Sequence, residues 1–194
     1  MADLKAIPNL LTSARIGLAV LVFMLLAKVG ADPSGARVLG LVAFFAFVVA
    51  ALTDYFDGWL ARRLNAQSAW GTALDPIADK IAVLAVVLGL LLVQPRLGLA
   101  IPGFLILFRE MFVSGLREAG AGYAVKLPVT WLAKWKTTVQ LVALSVELLA
   151  VGLSAPMLRN GGDLLMWAAA AMTLWTGSQY ARAFSRATAS GPGR

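Results

Sequence analysis

Six long apolar stretches, at roughly residues 7–29, 38–53, 76–94, 97–116, 131–153 and 164–184, dominate this chain and restrict its fold. Crossing a bilayer core takes about 20 apolar residues of helix, and a soluble domain has no use for so many such stretches. Hydrophobic residues make up 60% of the 194 and charged residues only 14%, against roughly 45–50% and about 25% in soluble domains. That balance excludes a soluble globule and, more strongly, a disordered chain. The expected fold is all-α: a polytopic membrane bundle of six transmembrane helices with a cytoplasm-facing polar cavity, forming one domain over 1–194. The chain opens Met1, Ala2, Asp3, Leu4, Lys5 with no small-residue cleavage site after a short apolar run. The first stretch therefore reads as a retained helix and not as a signal peptide. The tail 188–194, which contains Gly191, Pro192 and Gly193, is expected to fray.

Six spans return both termini to one side. That side collects most of the 17 basic residues, and only Lys28, Arg37, Arg96 and Arg159 fall on the other. The positive-inside rule makes the basic side cytoplasmic. The net charge of +7 is then the bias of Lys and Arg toward that side, or an attraction for anionic phosphates, and no nucleic acid partner is expected. The acids follow the same split, with Asp3, Asp54, Asp57, Asp75, Asp79, Glu110 and Glu118 on the basic side. Acidic residues contribute little to orientation, so their clustering points to a polar site there. Two uncharged runs, 16–27 and 97–108, are 12 residues each. Their helices cross only if they continue through Arg15, Asp54 and Arg109 at membrane depth, where charges must face a bundle interior or a wet cavity.

With no cysteine and no histidine, thiolate and imidazole chemistry are excluded, and carboxylates, Lys, Arg or hydroxyls must carry the chemistry. The densest set is Asp54, Asp57, Gly58, Ala61 and Arg62, followed by Gly71, Asp75 and Asp79. On a helix the first five form one stripe, with Gly58 and Ala61 keeping it low beside two carboxylates. Asp75 and Asp79 share a face of the next helix, with Pro76 expected in its first turn and residues 63–74 as a tight crossing. Four converging carboxylates repel one another unless some are protonated or a cation joins them. An oxygen-only set suits Mg²⁺, Mn²⁺ or Ca²⁺, and a low wall beside an arginine suits a metal-bound diphosphate. The alternative is ion pairing with Arg62, Arg63 and Lys80, which requires no stripe of small residues.

The pattern Asp54, Asp57, Gly58, Ala61, Arg62, Gly71, Asp75, Asp79 matches at all eight positions the signature of the CDP-alcohol phosphotransferase family, and the chain resembles these membrane enzymes of phospholipid synthesis. Within the family, Pro8, Asn9, Leu10, Leu11, Thr12 and Arg15 resemble the opening of bacterial phosphatidylglycerolphosphate synthases. So do Arg109, Glu110, Ser114, Leu116, Arg117 and Glu118, and Lys134, Lys136, Thr137 and Gln140. Ala133 stands where those proteins carry Gly. The resemblance covers roughly residues 7–141.

It implies a homodimeric six-helix enzyme of the bacterial cytoplasmic membrane, with both termini and the active site cytoplasmic. The implied reaction moves the phosphatidyl group of CDP-diacylglycerol to sn-glycerol 3-phosphate and releases CMP. Two ions, Mg²⁺ or Mn²⁺, would be held by Asp54, Asp57, Asp75 and Asp79, with Asp79 also the general base. Asp54, Gly58, Ala61, Arg62, Gly71, Asn9 and Thr12 would contact CDP-diacylglycerol. Arg109, Arg117, Lys134 and Lys136 would receive the glycerol phosphate, which agrees with their own basic, hydroxyl-bearing pattern. Burial and crowding would raise the pKa of Asp79 while metals lower it, and the sequence leaves the sign open. Other acceptors (phosphatidylglycerol, inositol phosphate, serine) remain open, as does a divalent-cation transporter, since intramembrane acids also mark ion pathways.

Overall fold

The computed structural model describes the backbone of residues 3–64, 69–120 and 131–189, and the side chains of 10–53, 74–120 and 135–189. The described residues form six α-helices, one short 3-10 helix (Pro33–Gly35) and no strand: α1 (Asp3–Ala31), α2 (Ala36–Leu64), α3 (Ala69–Val93), α4 (Leu97–Gly120), α5 (Trp131–Leu153) and α6 (Pro156–Ala189). Residues 190–194, the rest of the expected frayed tail, lie outside the described residues.

Short polar links end the helices by local chemistry. Between α1 and α2, the Asp32 carboxylate accepts from the Ser34 backbone N–H at 3.0 Å and from its hydroxyl at 2.9 Å. These two bonds hold the exposed Asp32 carboxyl below the usual carboxylate range. Pro33 follows at a position where a missing N–H costs nothing. Between α5 and α6, the Ala155 N–H donates to the Ala150 carbonyl at 3.1 Å and the Ser154 N–H to the Val151 carbonyl at 3.2 Å. With Ser154 at φ 52°, this is a Schellman closure built on serine in place of the usual glycine. Pro156 then starts α6.

The helices differ from the expected spans in two places. α2 continues to Leu64 and α3 begins at Ala69, so most of the expected crossing at 63–74 is helical. Pro76 consequently lies inside α3 and not in its first turn. The sequence suggested a first-turn proline because Pro favours that position. In a membrane helix an interior Pro is tolerated because neighbouring groups satisfy the freed carbonyl.

Five segments are long and apolar enough to cross a membrane, namely 10–31, 33–53, 74–93, 97–120 and 135–153. Several such helices make this an integral membrane protein. α6 is not among the five, because Thr173, Thr176, Ser178, Gln179 and Tyr180 lower its hydropathy.

The described contacts divide into two compact units. The first joins Met1–Arg96 with Leu144–Gly162, and the second joins Leu97–Ala143 with Asp163–Arg194. In the first unit, α1 packs on α2 and α3. Ala19, Ala82 and Ala85 form a thin core flanked by Phe23 and Ile81, and Val22, Leu26, Val86 and Leu90 are fully enclosed. α2 and α5 approach closely where Gly40 meets Gly152, since a Cβ on Gly40 would lie 2.7 Å from the Gly152 nitrogen. Large apolar side chains such as Met24, Phe45, Leu84 and Leu92 stay exposed, as a lipid-facing surface requires. In the second unit, Leu99, Ile106 and Met166 are buried. Phe104, Phe108 and Phe112 stack outward along α4 with centroids 6.1 and 6.0 Å apart.

Backbone atoms cannot yield as a flexible side chain does, so Gly40→Val is expected to destabilise the protein by about 1–3 kcal/mol through overpacking. Thermal unfolding in detergent micelles, beside Gly17→Val whose Cβ would meet nothing within 4 Å, measures the difference.

Candidate active site

In the first unit, α1 delivers two polar side chains, three residues apart, to two carboxylates four residues apart on α3. The Thr12 hydroxyl donates to Asp75 Oδ1 at 2.7 Å, and Arg15 Nη1 donates to Asp79 Oδ1 at 3.2 Å. Helical spacing explains the ladder: i, i+3 on one helix and i, i+4 on its neighbour each keep to one face. Thr12 and Arg15 are almost wholly buried, while the Asp79 side chain is 58% exposed. The donors are thus fixed in the packing and the carboxylates remain accessible.

Thr12, expected on the CDP-lipid, is engaged with Asp75. Arg15, present in the opening motif, was given no role in the site by the sequence. Its signal was there: an arginine three residues from a threonine, at a depth where a cation must have a partner.

α2 is helical through 54–64, so Asp54, Asp57, Gly58, Ala61 and Arg62 occupy one stripe, as the spacing predicts. The side chains of these five, and of Gly71 and Asn9, lie outside the described residues, as does that of Lys134. Among the described residues no group of three or more acids gathers, since two of the four aspartates are outside that set. The donor chemistry of the other two, all oxygen and one helical turn apart, fits a hard divalent cation.

In the second unit, two arginines of α4 meet α6, and a lysine of α5 meets α4. Arg109 donates through Nη2 to the Thr176 hydroxyl at 3.0 Å and through Nη1 to Glu110 Oε1 at 3.2 Å. Lys136 pairs with the same Glu110 oxygen. Arg117 donates to the Tyr180 hydroxyl at 3.0 Å, and the Tyr180 ring lies 5.3 Å from the Arg117 guanidinium and 5.7 Å from that of Arg109. One aromatic ring therefore attracts both cations. Gly177 provides the room, since a Cβ there would come within 2.8 Å of Arg109 Cγ. Arg109 Nε is buried and has no hydrogen-bond partner among the described residues.

Arg109 and Arg117 thus share a face, as their spacing of eight predicts, and Lys136 joins Arg109 through Glu110. Glu110, Thr176 and Tyr180 were not anticipated as site residues. Glu110 was visible as an acid inside the motif, whereas the two α6 residues carry no local signal.

A family model for CDP-alcohol phosphatidyltransferases matches residues 5–175. The chain belongs to this family. The match spans both units and stops just short of Thr176 and Tyr180. Relatives share the chain nearly end to end. The CDP-diacylglycerol–glycerol-3-phosphate 3-phosphatidyltransferase of Rickettsia typhi is 42% identical over 181 residues, 93% of this chain and 97% of that protein. The protein of the same name from Rickettsia bellii is 42% identical over 178 residues, 91% of this chain and 94% of its own. That from Escherichia coli is 37% identical over 182 residues, 90% and 92% of the two chains.

Glu110→Leu removes the carboxylate shared by Lys136 and Arg109, leaving two enclosed cations short of a counter-charge. Glu110 is a quarter exposed, so the expected loss is about 1–3 kcal/mol, below that of a fully buried pair. In a double-mutant cycle, Glu110→Leu with Lys136→Leu should recover part of this loss, read as thermal unfolding.

Proposed function

We propose that this protein transfers the phosphatidyl group of CDP-diacylglycerol to sn-glycerol 3-phosphate, giving phosphatidylglycerol phosphate and CMP. The observation that carries the reading is near full-length identity of about 40% to phosphatidyltransferases of that name, joined to an intact eight-position signature. The chain is an enzyme of phospholipid synthesis, working at a membrane because its donor substrate keeps its acyl chains there.

Such a transfer asks for charge neutralisation and in-line placement more than for covalent help. Asp54, Asp57, Asp75 and Asp79 would hold two divalent ions, Mg²⁺ or Mn²⁺, which when bound neutralise the diphosphate and its leaving group. Asn9, Gly58, Ala61, Arg62 and Gly71 contact the CDP part, the small residues letting it lie against the helix. Thr12 acts on Asp75 and orients it. Asp79 takes the proton of the attacking hydroxyl, and Arg15 fixes the direction of that carboxylate. Arg109, Arg117, Lys134 and Lys136 receive the phosphate of glycerol 3-phosphate, with Tyr180, Thr176 and Glu110 setting their positions. α6 completes a sixth span, the site opens to the cytoplasm with both termini on that side, and the working form is a homodimer in the bacterial inner membrane. The lopsided distribution of Lys and Arg supports this orientation.

Purified protein with CDP-diacylglycerol should release CMP in the presence of glycerol 3-phosphate and a divalent ion. It should fail to do so with serine, inositol phosphate or phosphatidylglycerol. Uptake of divalent ions into vesicles without CMP release would instead favour a transporter.

Asp79→Asn should lower kcat by about 10² or more, the range of a general base, and, because Asp79 would also hold a divalent ion, should raise the metal concentration needed for half-maximal activity. Full activity in that variant rules out the role as base.

Tyr180→Phe keeps the ring but loses the Arg117 bond, a hydrogen bond to a charged group worth about 1.5–3 kcal/mol, of which part passes to substrate binding. The KM for glycerol 3-phosphate should rise by up to roughly tenfold, with that for CDP-diacylglycerol unchanged.

A further inference from the structure

A second polar pocket lies in the first unit, away from the aspartates. Val93 on its wall follows Asp79 by 14 residues on α3, roughly 21 Å along the helix axis. The cavity encloses about 190 Å³, and Gln94, Arg96, Glu147, Ser154 and Arg159 line it beside apolar groups including Val29, Leu90 and Val93. These residues come from α1, α3, α5, α6 and the links that follow α3 and α5. The apolar segments end at Ala31, Val93 and Leu153, so the cavity sits where hydrocarbon gives way to headgroups.

Its charges are arranged for an anion. Glu147 is 1% exposed and is paired with Arg96. The fold makes space for that carboxylate, because a Cβ on Gly162 would come within 2.5 Å of Glu147 Oε1. A buried ion pair stabilises no better than apolar residues of the same volume, and an ionisable group inside a membrane protein marks function by default. Glu147 holds Arg96 at the cavity wall. The Arg159 guanidinium has no ion pair or hydrogen bond among the described residues, so the pocket carries a net positive charge. The Gln94 amide and the Ser154 hydroxyl add neutral donors. The volume falls below the roughly 300–1,000 Å³ of pockets that enclose whole ligands, and matches one polar head whose apolar part remains outside.

We infer that this pocket binds a phosphate group through Arg159 and Arg96, carried either by the head of a phospholipid or by free phosphate. Two guanidiniums give such a group fork-shaped, charge-assisted donors. The alkyl walls accept the glycerol carbons next to a lipid phosphate.

The test titrates the full-length protein in detergent micelles with short-chain phosphatidylglycerol, with diacylglycerol of the same chains and with inorganic phosphate, following thermal unfolding. Arg159→Ala is compared with wild type, with Arg159→Lys, and with the paired replacement Arg96→Met, Glu147→Met, which leaves no buried charge alone. Phosphatidylglycerol should raise the unfolding temperature of wild type. The half-saturating concentration should rise by about tenfold or more in Arg159→Ala and in the paired variant, the worth of a hydrogen bond to a charged group. Arg159→Lys should restore most of the binding. A response to inorganic phosphate equal to that for the lipid identifies a soluble anion as the source, whereas a much weaker one identifies the lipid head. Wild-type binding in Arg159→Ala or in the paired variant, or an equal response to diacylglycerol, overturns the assignment. Asp75→Asn, which alters the other polar site, should leave the response intact.

Discussion

Charges inside apolar helices must find partners, and this requirement organises the protein. Arg15, Arg109, Lys136 and Glu147 are each less than a tenth exposed. Each meets an opposite charge: Asp79, Glu110, Glu110 and Arg96 respectively. Apolar packing alone could not set the register of such helices, because lipid tails are as apolar as a leucine face. Polar contacts add the missing specificity, since rotating α1 by one residue would withdraw Thr12 and Arg15 from Asp75 and Asp79 together. The same contacts fix where the charged side chains lie.

α5 shows how economically this is arranged. Lys136 near its start belongs to one unit and Glu147 near its end to the other, and each is neutralised within its own unit. The remainder of the exposed surface can then be apolar. Phe104, Phe108 and Phe112 on α4, and Val38, Val42, Phe45 and Val49 on α2, present continuous apolar faces to lipid because no charge on those faces requires water.

The helices were legible because twenty apolar residues in a row allow few other solutions, and the aspartate stripes were legible because helical spacing places residues on a face. Which partner answers each charge was not legible, since that depends on contacts across long separations: Thr12 with Asp75, Arg15 with Asp79, Arg117 with Tyr180. The sequence carries α2 through the stripe to Arg62, and its backbone stays helical two residues further, to Leu64. α6 is legible as an apolar stretch at 164–184, but its polar contacts are not. Thr176 and Tyr180 weaken its signal as a span, and they are the residues that meet Arg109 and Arg117.

Glu110 has one further consequence. Before any ligand arrives, its carboxylate already occupies Lys136 and neighbours Arg109. An anion arriving at these cations would compete with that carboxylate, and at Lys136 would gain only the difference between two similar contacts. Attraction at this position would therefore be capped from within. A molecule held there would leave readily, because a tethered counter-ion stands beside it to take its place.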